Sequence, residues 1–225
     1  MTYDEILIRL KTLARPGAAE CAAEIGIRPR TKLYGVKGDE LRRMARQIGV
    51  NPLLAERLWL ADVHDARLLA PLIADPRLVN EGQMERWAAG FDAWDLCDQV
   101  CGQLFRQTPF AYSKAAAWSK RREEFVKRAA FALMATLATP GYGDDEEERF
   151  LQFLLIIRRE AIDERANVHK AIAWALRQIG RRSPSLRRQA IQVAEVFQNS
   201  PVRAAQWIAE ETLPRLTGVI TPPRP

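Results

Sequence analysis

The chain has 225 residues, 48% hydrophobic and 28% charged, a balance that suits a folded protein with a core and excludes a disordered or low-complexity polymer. No apolar run approaches the ~18 residues of a membrane span, and the opening MTYDEILIRL lacks the charged-then-apolar pattern of a secretory leader, so the expectation is a cytoplasmic protein that engages no membrane. The formal charge is +6 and 27 of the 34 basic residues are arginine; the guanidinium fork suits phosphate oxygens and points to a polyanionic partner, although arginine-biased codon usage leaves the same composition.

Helical periodicity dominates the chain, and Val/Ile/Thr-rich alternation never persists. The helical segments fall near 3–14, 17–25, 39–48, 52–60, 64–73, 81–88 and 94–106, then 110–118, 121–138, 145–159, 164–181, 185–198 and 202–213. Breaks at Pro16, Gly35/Gly38, Asn51-Pro52, Pro76, Thr108-Pro109, Pro140–Gly143, Ser183-Pro184 and Ser200-Pro201 separate them. Ser, Thr, Asn or Asp precedes several segments, as capping requires. The acidic run DDEEE (144–148) is expected to open a helix, where carboxylates favour the N-terminal dipole. Helix pairs recurring every ~35–45 residues have the HEAT and armadillo spacing. Thirteen short helices are too many for one central core. The predicted fold is therefore all-α, a right-handed solenoid of HEAT-like antiparallel helix pairs with a concave basic face. It forms one domain over 1–218, with a disordered tail at 219–225.

Cys21, Cys97 and Cys101 are an odd, sparse set that fits a reducing compartment. They are too few for a four-thiolate iron–sulfur cluster. With only His64 and His169 beside them, the expectation is no metal and no cofactor.

Three helices place an unexpected residue on one face. In 94–106 the apolar arc runs through Leu96, Cys97, Val100, Cys101 and Leu104, with Trp94, Asp98 and Phe105 at its margin. A half-buried carboxylate beside an indole is unfavourable unless it is hydrogen-bonded or has a task. In 121–138, Val126, Ala130, Leu133 and Leu137 form the core stripe. Arg128 lies opposite, in line with Arg121 and Glu124 and followed by Ala132 and Ala135. It either meets a ligand over these small residues or pairs with Glu124. In 164–181, Val168, Ile172, Ala175, Leu176 and Ile179 face the core, and Lys170, Trp174, Arg177 and Arg181 lie opposite. Cations interleaved with an aromatic suit a nucleic acid backbone. The alternative is that Trp174 packs beneath another helix with the cations at its rim.

With these residues in view, the chain resembles the AlkD-like DNA alkylation repair glycosylases, all-α proteins of HEAT-like repeats. The likeness spans nearly the whole chain. It is clearest in KLYGVKGDELRRMARQIG (32–49), WDLCDQV (94–100), EFVKRAAFALMATLA (124–138) and VHKAIAWALRQIGRRS (168–183). The resemblance implies removal of cationic N3- and N7-alkylated purines from duplex DNA, without flipping the base into a pocket. It implies Asp98 as the catalytic carboxylate and Trp94 and Trp174 as the indoles against the lesion-bearing strand. Arg128 would hold the nearby phosphate and Arg177 would add a further basic contact, with Lys170 and Arg181 on the same ridge. Lys37 would reach phosphate from the turn GVKGD (35–39). The chain departs from some members at Ala93-Trp94 and at Ala166-Asn167, where they carry aromatics. No lysine lies among the catalytic residues to form a Schiff base, Lys170 being the only nearby candidate, so a monofunctional enzyme is expected; a monomer is expected as well. The competing expectations are a catalytically silent binder of damaged or branched nucleic acid and a helical scaffold for another protein.

Overall fold

The computed structural model describes residues 1–139 and 146–218. Thirteen α-helices account for most of the described residues, which include no strand beyond one isolated bridge between Lys32 and Val63. The chain divides into two compact units, Met1–Phe110 and Ala111–Pro225.

The first unit holds α1 (Tyr3–Thr12), α2 (Ala18–Glu24), α3 (Gly38–Ile48), α4 (Pro52–Trp59), α5 (His64–Ile73), α6 (Glu81–Ala89) and α7 (Trp94–Gln103). Caps fix several starts as their sequences require. Thr2 and Glu5 form a capping box, and the Asn51 and Asn80 side chains accept from the amides of Leu54 and Gln83. Helix α5 lies at the centre of the unit and packs against α1, α3, α4 and α7. Trp59 and Trp87 stack at 4.4 Å in the core, and Arg67, paired with Asp92, lies over the Trp59 ring.

The second unit holds α8 (Ala111–Trp118), α9 (Glu124–Leu137), α10 (Glu147–Glu160), α11 (Ala166–Arg182), α12 (Pro184–Gln198) and α13 (Arg203–Thr217). Its centre is α11, which meets α9, α10, α12 and α13. Gly180 eases the crossings with α12 and α13, since a Cβ there would come within 2.6 Å of the Leu216 Cδ2 methyl and 3.1 Å of the Ala190 Cβ and would make the leucine shift.

Three boundaries differ from expectation by three residues or more. The helix expected at 94–106 stops at Gln103, and a 3-10 turn (Phe105–Gln107) follows. Phe105 therefore leaves the Trp94–Asp98 margin and is fully buried against Trp87 and Phe91. The helix expected at 121–138 begins at Glu124, so Arg121 lies off its ridge and pairs with Glu123. The last helix runs past Pro214 to Thr217 rather than ending at 213, and Gly218 closes it at φ +77°. Pro214 lacks a backbone donor and crowds the carbonyl of residue 210, yet the helix continues past it for three residues. Glu147 and Glu148 occupy the first turn of α10 as the acidic run suggested, while Asp144 and Asp145 lie outside the described residues. The tail expected to be disordered, 219–225, also lies outside them.

Candidate nucleic-acid interface

In the first unit, Trp94 and Asp98 lie one turn apart on α7, and both are half-buried. The indole Nε1 of Trp94 donates to the Ile25 carbonyl at 3.1 Å, which fixes the ring edge while part of the ring stays open to solvent.

Asp95, the residue after Trp94 in the WDLCDQV run, ties α7 to α5. Its Oδ2 lies 2.8 Å from Nε2 of His64, whose side chain is 1% exposed. His64 opens α5, and the next residue, Asp65, is equally buried and pins a second segment. The two carboxylate oxygens of Asp65 accept the amides of Tyr34 and Val36, each at 2.7 Å. Those bonds hold the turn that ends at Lys37, the exposed residue flanking α3. Gly35 in this turn has φ +71°, and a Cβ there would sit 2.3 Å from the Ala18 Cβ. The buried dipeptide His64-Asp65 thus positions both α7 and the Lys37 turn. Sequence reasoning missed it, because the partners are about 30 residues away and neither forms a local motif.

In the second unit, Arg128 on α9 is 6% exposed, and its Nη1 donates to the Asn167 carbonyl at 2.7 Å. Asn167 in turn donates from Nδ2 to Glu124 at 2.8 Å. Glu124 is therefore tied to Asn167, and Arg128 meets the backbone of the same residue. The open room expected beside Arg128 is not there, since Ala132 and Ala135 are fully buried. Asn167, one of the positions without a family aromatic, instead latches α9 to the first turn of α11.

A second lock lies beside it. Lys127 reaches Glu160 at 2.7 Å and Asp163 at 2.9 Å, and Arg165 grips Asp163 through Nε and Nη2. Burial pushes the Asp163 carboxyl up, but hydrogen bonds from Arg165 and Lys127 outweigh it and hold the group well below the usual carboxylate range. Glu160 follows the same logic, with Lys127 and Arg159 overcoming its burial.

On α11, Lys170 and Arg181 are exposed, and Trp174 and Arg177 are half-buried. The core residues Val168, Ile172, Ala175, Leu176 and Ile179 face inward as expected. Burial depresses the Arg177 guanidinium below its ordinary value, and the charges of Arg215 and Arg181 add to this against the pull of Glu211. Three arginines share one neighbourhood, and its carboxylate already pairs with Arg215 at 2.5 Å. Such a surplus of positive charge favours a bound anion. Arg215 was not anticipated, because the helix was expected to stop before it.

Among the described residues no three His, Cys, Asp or Glu side chains come together as a metal set. Cys97 and Cys101 are buried in the α7 core, and Cys21 is exposed.

Paired short helices bearing a cationic ridge define an all-α protein of the HEAT-like repeat kind. The same fold occurs in a solved structure that is 20% identical, covers 94% of each chain and superposes with a TM-score of 0.78. That structure is described as "A new family of proteins related to the HEAT-like repeat DNA glycosylases with affinity for branched DNA structures". The chain itself belongs to the family described as DNA alkylation repair enzyme, which matches residues 6–217. No curated protein matches the sequence.

Proposed function

We propose that the chain, as one domain over 1–218, is a monofunctional DNA glycosylase that hydrolyses the N-glycosidic bond of cationic N3- and N7-alkylated purines in duplex DNA. The observation that supports this most is the half-buried carboxylate of Asp98 one turn below Trp94, whose indole edge is tied to the Ile25 carbonyl. An alkylated purine already bears positive charge and leaves as a neutral molecule, so no general acid is needed. The C1′–N bond breaks with its electron pair going to the base, and the sugar becomes oxocarbenium-like. Asp98 stabilises that cation and orients the water whose oxygen bonds C1′, and the water's proton passes to the carboxylate or to solvent. The abasic strand remains intact, since no lysine forms a Schiff base.

In this reading Trp94 and Trp174 each present an indole face to the DNA, excluding water and attracting positive charge. Lys170, Arg177, Arg181 and Lys37 contact phosphates. Arg128 joins them as a phosphate contact by the family likeness, from a place where its Nη1 donates to the Asn167 carbonyl. The base need not flip into a pocket for this chemistry.

A second reading is a silent binder of branched DNA, and the description of the structural neighbour favours it. Incubating the protein with methylated duplex DNA and assaying released 7-methylguanine and 3-methyladenine separates the two. Base release supports the glycosylase. Binding to methylated or four-way DNA with no released base supports the binder.

A further inference from the structure

A groove of about 540 Å³ lies on the second unit beside the start of α11 and the first turns of α13. Its lining includes Glu164, His169, Arg203, Gln206, Trp207 and Glu210. The volume falls within the ~300–1,000 Å³ of small-ligand sites. The Trp207 ring is half-buried and meets the His169 ring at 4.7 Å, which gives the groove an aromatic wall. Nδ1 of His169 is buried without a hydrogen-bond partner among the described residues. Burial, then the Lys170 charge, hold this imidazole below its ordinary value, against the pull of the Asp163 charge and of the Glu164 and Asp163 backbone.

The remaining groups are unequal. Gln206 spends its Nε2 on the Ser200 carbonyl at 2.8 Å, which leaves its oxygen as an acceptor. Glu164 and Glu210 add two carboxylates at the rim and Arg203 a single cation. A phosphate deep in the groove would be repelled by the Glu164 carboxylate, whereas one beside Arg203 would be attracted. A flat ring that donates hydrogen bonds is matched by the acceptors and the indole. The Lys170 charge acts on the His169 imidazole, so the groove lies within reach of one cation of the ridge assigned to phosphates.

We infer that this groove takes one unpaired nucleobase bearing an exocyclic amino group, adenine or cytosine above all, from a single-stranded arm of DNA. Within a duplex the base faces are stacked and cannot meet Trp207. An arm at a junction or frayed end frees them, and Arg203 meets the phosphate attached to the captured base. The inference rests on the reading of the α11 ridge as a DNA contact and extends it to a class of DNA structure.

The test compares dissociation constants for a 20-base-pair duplex and the same duplex with a short adenine, thymine or abasic arm. Base–aromatic stacking contributes ~1–3 kcal/mol per base, so the adenine arm should tighten binding about tenfold. The thymine arm should gain less and the abasic arm nothing. Trp207→Ala should abolish the gain with duplex affinity unchanged, and Trp207→Phe should keep most of it. An equal gain from the abasic arm, or no gain from adenine, overturns the inference in the wild-type protein alone. A gain retained in folded Trp207→Ala does the same. Failure to bind any DNA would instead overturn the underlying reading of the ridge.

Discussion

Replacing Asp95 by alanine tests whether its hydrogen bond with the buried His64 places the Trp94–Asp98 helix. The mutation strips the acceptor from His64 Nε2, 2.8 Å away, in a side chain that is 1% exposed. Nδ1 of the same ring already has no partner among the described residues, so the imidazole would be buried with neither nitrogen satisfied. Leaving one such group unsatisfied costs ~1–3 kcal/mol. The Asp95 side chain is 20% exposed, so water competes with the bond and the lower part of that range, about 1–2 kcal/mol, applies. For a chain of this size this corresponds to a fall of ~2–8 °C in Tm. Thermal unfolding of the wild type, Asp95→Ala and Asp95→Asn measures it. The asparagine, which keeps an acceptor for the ring, should lose less. Single-turnover excision by folded Asp95→Ala should slow as well, because the first turn of α7 loses its anchor on α5. An unchanged Tm together with unchanged excision would refute the positioning role.

Further outcomes follow from the second unit. Lys127→Met leaves Glu160 and Asp163 nearly buried around a missing cation and should destabilise the protein by about 3 kcal/mol, measured by denaturant unfolding; a loss below ~1 kcal/mol contradicts the lock. Both carboxylates have depressed folded pKa values, so their contribution is full above the ordinary carboxylate range and is lost as pH falls from there through the lower folded values; Lys127→Met should flatten that acid limb of stability. Trp174→Ala should lower excision more than stability, whereas a loss of ~3–5 kcal/mol on unfolding with excision intact would make it a core residue. Duplex affinity should fall with salt, and Arg177→Ala with Arg181→Ala should each reduce the log–log slope by about 0.9; an unchanged slope removes them from the phosphate contacts.

The helices were legible because periodicity and caps are local. Asn51-Pro52 and Ser183-Pro184 mark helix starts through residues within one turn, and the structure caps both there. The face of α11 was legible for the same reason, since 100° per residue separates Val168 and Ile172 from Lys170 and Arg181 without tertiary knowledge. Tertiary partners were not legible. Arg128 looked open because Ala132 and Ala135 are small, yet small residues also mark where helices pack closest, and both are buried. The bond from Arg128 to the Asn167 carbonyl involves a backbone atom that no side-chain pattern reveals. His64 and Asp95 are 31 residues apart, and Arg215 stands one residue beyond a proline that normally ends a helix. The locks around the candidate interface therefore come from the fold, while the exposed cations were readable from the sequence.

The central proposal is that one carboxylate performs the chemistry, and Asp98→Asn tests it most directly. The amide preserves volume and some hydrogen bonding but removes the charge that faces the oxocarbenium-like sugar. Losing one such electrostatic contact lowers rates on the order of 10²–10³, or ~3–4 kcal/mol in the barrier. The measurement is single-turnover release of 7-methylguanine from methylated duplex DNA, with binding followed in parallel. Wild-type protein should release the base, and Asp98→Asn should release it at least a hundredfold more slowly, by about the factor above, with affinity equal or slightly higher because a carboxylate near phosphate is repulsive. Near-normal release by folded Asp98→Asn would contradict the account.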